Sequence, residues 1–152
     1  MRTKLLAAAV TVAALSSVSL EAMAQVKPDV LVKQRQAAMT LQAKYLGPIG
    51  GMLKGSAPYN ADIVARNATF LENLSRMPWD GFDASTQSIK SRAKPEVFSD
   101  AAKFKTASEV FEQAVAKLGA VARAKDEAGV RASFGAVAKA CNDCHDSFQA
   151  KQ

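Results

Sequence analysis

The sequence predicts an all-α protein, an antiparallel four-helix bundle. Three observations carry that prediction. Apolar residues recur at steps of three and four along four separate segments, the period of one helix face. The chain is rich in alanine and poor in the apolar–polar alternation that marks strands. With one exception the segments are joined by short connections, which set neighbouring helices antiparallel.

The first segment runs from Pro28 to Leu53. Pro28 suits a first turn, where its missing N–H leaves no bond unmade. Val32, Met39, Ala43 and Leu46 share a face, with Arg35 one turn before Met39. Pro48, Gly50 and Gly51 weaken the C-terminal end. The second segment runs from Tyr59 or Asn60 to Met77. Its stripe is Ile63, Asn67, Phe70, Leu74 and Met77, and Pro78 stops it. The third runs from Pro95 to Lys125, with Phe104, Ser108, Phe111, Val115, Leu118 and Ala122 on one face. The fourth runs from Glu127 to Ala150, with Val130, Phe134, Val137, Cys141, Cys144 and Phe148 in line. The exceptional link, residues 78–94, is long and polar and starts with Trp79 and Phe82. Such a link is either functional or packed across the mouth of the bundle.

Ahead of the bundle, Arg2 and Lys4 precede an apolar run from Leu5 to Leu15, and Ala22-Met23-Ala24 offers small residues at both key positions. This is the pattern of a secretory signal peptide cleaved after Ala24. A membrane anchor needs about 20 apolar residues, more than this run supplies. Residues 25–152 then form a single exported domain, periplasmic in a Gram-negative host, with no membrane association after cleavage. The signal takes two of the 20 basic and one of the 14 acidic residues with it, leaving a net charge of +5. The basic residues are scattered without interleaved aromatics, so nucleic-acid binding is not expected. A modest positive surface suits an acidic redox partner, or is simply solvated.

The soft-ligand chemistry is confined to "CNDCH". It contains both cysteines, Cys141 and Cys144, and the only histidine, His145. C-x-x-C-H is the signature of covalent c-type haem attachment. On a helix, residues i and i+3 share a face, so two thiols there reach two vinyl groups on one porphyrin edge. The following histidine can take an axial position on the iron. Zinc needs about four ligands, a thioredoxin-like pair belongs beside a βαβ unit, and helical i,i+3 thiols fit disulfide geometry poorly. One haem c accounts for the spacing, the export signal and the single histidine together. Bundle cofactor sites lie between helices, and the cysteines sit on the core-facing stripe. No catalytic triad, paired carboxylate site or phosphate loop is visible, so no enzyme is expected.

With "CNDCH", the stretches "VKQRQAAMTL", "KGSAPY", "MPWDGF" and "KPEVFSDAAKFK" occur in that order. In these the chain resembles cytochrome c′, the c-type cytochromes built as a four-helix bundle with haem near the C-terminus. The resemblance covers essentially residues 25–152. It implies that Met39 lies over the open face of the iron without ligating it. Low-spin relatives of the same fold use a methionine there as sixth ligand, and that alternative stays open for Met39. Arg35, on the face of Met39, calls for an anion, and a haem propionate supplies one; a snorkelling surface arginine is the plainer reading. Gln36 joins the expected cofactor contacts. Trp79 and Phe82 either close over the haem edge or pack the loop.

The resemblance further implies a five-coordinate high-spin iron that binds nitric oxide and carbon monoxide, and a homodimer formed through the first two helices. The alternative is a His/Met electron-transfer cytochrome with redox partner proteins. One departure stands out. Cytochromes c′ usually carry Arg or Lys one turn after the haem histidine, on the proximal side, and here that position is the uncharged Gln149.

Overall fold

The predicted helices form in a computed structural model that describes residues 26–151. The signal-peptide prediction for residues 1–24 lies outside the described residues. The helices are α1 (Pro28–Leu53), α2 (Ala61–Leu74), the single turn α3 (Glu96–Ser99), α4 (Ala101–Arg123) and α5 (Glu127–Phe148). The described residues form no strand, only an isolated antiparallel bridge between Ala93 and Gln149. Three of the four long helices start on residues whose side chains satisfy free backbone N–H groups. Asn60 accepts from Asp62 and Ile63, Asp100 from Lys103, and Asp126 from Gly129. Pro28 begins α1.

α1 packs on α2, α2 on α4 and α4 on α5. The core between them holds fully buried Ile49, Val64, Leu71, Val115, Leu118, Val130 and Val137. Each such side chain contributes about 1.5–3 kcal/mol by leaving water. α1 runs on through Pro48 and two glycines because that end is packed: Ile49, Gly50 and Met52 are buried. A Cβ on Gly50 would lie 2.8 Å from Phe134 Cζ, so glycine lets α1 approach α5 there.

Three expectations are corrected. The α2 stripe is misplaced by one residue. Val64, Ala68 and Leu71 face the core beside Asn67, Ile63 and Phe70 face outward, and the helix ends at Leu74 rather than at Met77, which lies exposed beyond it. The third segment is not one helix. It breaks at Asp100, whose backbone (φ −122°, ψ 54°) leaves the helix so that its carboxylate can cap α4. The fourth ends at Phe148 rather than Ala150, and Gln149 is extended (φ −119°, ψ 129°).

The long link crosses the mouth of the bundle. It makes two 3₁₀ turns, Asp80–Phe82 and Ala84–Thr86, both against α1. It then pairs Ala93 with Gln149 at the end of α5.

Candidate haem site

α1 and α5 meet at one end. There Gly50 meets Phe134, and Arg131 Nη1 donates to the Leu53 carbonyl at 2.9 Å. Toward the other end two adjoining cavities, about 450 and 240 Å³, occupy the seam between the two helices. They share Met39 and Ala43 from α1 and Cys144 and His145 from α5. The larger is also lined by Arg35, Gln36, Phe82 and Gln149, the smaller by Trp79 and Cys141. Every site residue expected from the sequence thus reaches this seam. Trp79, Phe82, Phe104, Phe111 and Phe148 form a connected aromatic wall, with ring centroids 4.8–6.4 Å apart.

Both thiols are free and half-buried. Burial pushes the Cys141 thiol up to about 11, with Cys144 adding to the shift, and burial also raises Cys144. Protonated thiols of this kind are poor nucleophiles and poor metal ligands. Cys144 and His145, being consecutive, leave the helix about 100° apart. Among the described residues no three His, Cys, Asp or Glu side chains group as a metal-holding cluster. The imidazole of His145 is held below its usual value, first by desolvation and then by the charge of Arg92, with Asp146 opposing. That favours the neutral ring, the form that ligates a metal.

Two groups, one without a counter-charge and one without an acceptor, indicate what the seam accommodates. Arg35 is 3 % exposed, and burial lowers its pKa. Its guanidinium donates to the Gly81 carbonyl (2.6 Å), Thr86 Oγ1 (3.0 Å) and Ser91 Oγ (2.9 Å), and lies 4.3 Å from the centre of the Phe82 ring. Among the described residues no carboxylate balances its charge. Trp79 Nε1 is buried with no hydrogen-bond acceptor. Both groups border the seam. A flat apolar group with anionic edges, anchored by two thiols on one wall, fits this slot.

A helical bundle with a C-x-x-C-H helix on an open seam defines a c-type cytochrome of the bundle class. The family model described as Cytochrome C′ matches residues 30–149. The chain is 40% identical over 126 residues to cytochrome c′ of Alcaligenes xylosoxydans xylosoxydans, covering 83% of this chain and 98% of the relative. The crystal structure of cytochrome c′ from Rubrivivax gelatinosus superposes with a TM-score of 0.80 at 38% identity, over 82% of this chain and 98% of that one. A nitric oxide complex of a mutant cytochrome c prime from Alcaligenes xylosoxidans gives 0.78 at 40% identity, over 84% and 98%. The chain belongs to the cytochrome c′ family. That family binds haem c through two cysteines, which here are Cys141 and Cys144.

Sequence reasoning missed Arg92. It lines the larger cavity beside His145, and its Nη2 donates to Gln149 Oε1 at 2.7 Å. Its only sequence signal was its place in the long link, since the residues that hold it are 57 and 58 positions away. Gln149 was expected to follow His145 on the helix. Its N–H does close the last turn on the His145 carbonyl at 2.9 Å, but its backbone is extended and its side chain turns to Arg92.

Proposed function

We propose that this chain carries its haem with His145 as the single axial protein ligand, and that it binds nitric oxide and carbon monoxide on the face beside Met39. The iron supplies an open coordination position for one diatomic molecule. The observation that carries this reading is the composition of the smaller cavity. Met39, Leu46, Leu71 and Phe111 make its walls apolar, and the chain has no second histidine. The Gln42 amide, which also lines it, donates instead to the Leu74 carbonyl at 2.9 Å. The one unspent donor that borders it, the Trp79 N–H, is read here as a partner for the anionic edge of the haem, so ligands that need a strong hydrogen-bond donor gain little there, and weak oxygen binding is expected. The solved nitric oxide complexes of related cytochromes c prime support the same reading. This is ligand binding rather than enzymatic turnover. Electron exchange with an acidic partner is compatible with the positive net charge.

The second reading rests on Met39 bordering both cavities with His145. A thioether on the iron makes a six-coordinate, low-spin electron carrier. The visible spectrum of the reduced protein decides. Broad, unsplit bands that change on adding nitric oxide are expected, whereas sharp split bands sink the five-coordinate reading. In Met39→Ala the distal wall opens, and carbon monoxide affinity is expected to rise. An affinity and spin state identical to wild type would show that Met39 does not gate the iron.

The export reading places the protein in the periplasm. The basic start, apolar run and small-residue site within residues 1–24 support it. N-terminal sequencing of the cell-purified protein should begin at Gln25.

A further inference from the structure

Arg92 reaches the larger cavity from the link and is fixed there by backbone pairing with the end of α5. The Ala150 N–H donates to the Arg92 carbonyl at 2.8 Å, and the Lys94 N–H to the Phe148 carbonyl at 2.9 Å. The guanidinium is then held twice: Nη2 donates to Gln149 Oε1 at 2.7 Å, and Nε to the Ala150 carbonyl at 3.3 Å. Both acceptors are neutral. Among the described residues no carboxylate pairs with Arg92, so its charge is oriented without being cancelled. A glutamate in place of Gln149 would cancel that charge, and an arginine would repel it. The neighbouring Lys94 is used differently. Its Nζ donates to the Asp146 carbonyl (2.8 Å) and the Ser147 carbonyl (3.4 Å), so it serves the negative end of α5.

We propose that Arg92, aligned by Gln149, is a positioning residue that fixes a positive charge on the His145 side of the haem and raises the reduction potential of the iron. A nearby cation favours the oxidation state that carries less positive charge, which is the ferrous state. Ferrous iron is also the form that takes up carbon monoxide. The inference rests on His145 being the axial ligand.

The test is the midpoint potential of the purified holoprotein, at low and high salt, for wild type, Arg92→Gln, Arg92→Lys, Gln149→Glu and Lys94→Gln. Arg92→Gln and Gln149→Glu are expected to lower the potential at low salt, with the reduced-state band shape unchanged. Arg92→Lys should keep most of the wild-type value, because it keeps the charge. Lys94→Gln should shift it less than Arg92→Gln does. Salt should narrow the differences, since exposed charges are screened. Gln149→Glu leaves the arginine in place, so the test survives even where Arg92→Gln folds poorly. The inference is overturned if Arg92→Gln and Gln149→Glu keep the wild-type potential. It is equally overturned if Arg92→Lys falls as far as Arg92→Gln, or if Lys94→Gln matches it. Failure of the five-coordinate reading appears separately, as split bands in reduced wild type.

Discussion

At the scale of single residues, the site depends on how closely the link lies on α1. Gly81 is buried against Arg35, and a Cβ there would stand 2.8 Å from Arg35 Cβ and 2.9 Å from the Leu31 carbonyl oxygen. Those are fixed atoms near the backbone and cannot swing aside. Gly81→Ala should therefore cost about 1–3 kcal/mol, the usual penalty for overpacking, read from urea unfolding of the holoprotein. An unchanged midpoint would mean that the link does not press on α1 as described. A pH effect belongs to the same loop. Hydrogen bonds from Ser85 hold the Asp83 carboxyl below its ordinary value. A depressed carboxylate stabilises the fold above the unfolded-state pKa, and loses that contribution as pH falls through the folded value. Asp83→Asn should flatten the acid limb of the stability–pH curve and leave the slope near neutrality alone. Arg35 was legible as a site residue because it lies one turn before Met39. Its partners were not, since Gly81, Thr86 and Ser91 lie 46 to 56 positions away and only folding brings them near.

At the scale of helices, the starts are set by local chemistry that substitution can test. Asn60 Oδ1 accepts from the Asp62 and Ile63 N–H groups, each at 3.0 Å. Asn60→Ala should lower stability by about 1 kcal/mol, while Asn60→Asp should keep it, since either side chain caps well. Equal unfolding midpoints for Asn60→Ala and wild type would remove the cap from the account. The existence of the long helices was legible because the three-and-four period runs through each. The core face of α2 was not, because two apolar rows run side by side: Val64, Ala68 and Leu71 inside, Ile63 and Phe70 outside, with Met77 continuing the outer row past the end of the helix. The outer row has the bulkier side chains and looks like core on hydrophobicity alone. The break at Asp100 was hidden for a related reason. The apolar period of α4 starts only at Phe104, so it says nothing about whether the preceding turn is continuous. Asp100 next to an alanine pair was the available signal, because an aspartate there caps better than it propagates a helix.

At the scale of the whole molecule, the exposed row on α2 joins a face on α1 and asks for a partner. Phe70 is 42 % exposed and Met77 57 %, with Ile63 and Leu41 also outward. Tyr45 on α1 lies against Phe70 of α2 with ring centroids 4.9 Å apart and the rings tilted by 38°, so the exposed row continues from one helix onto the other. The opposite face of α1 is given over to the haem seam through Met39 and Ala43. An apolar face of this kind on a monomer is unusual unless it is an interaction site. The homodimer that the resemblance implies, formed through the first two helices, would cover this face about a two-fold axis. The sequence alone offered no clear stripe for such a contact, because half of it was read as the inner face of α2. Wild type should sediment at twice the chain mass. Phe70→Glu should sediment as a monomer, because a two-fold axis brings the added charge close to its own copy and desolvates both. The reduced spectrum should be unchanged, since Phe70 borders neither cavity. A wild type that sediments as a monomer at all practical concentrations would sink the dimer. A Phe70→Glu variant that stays dimeric would place the contact elsewhere on the bundle.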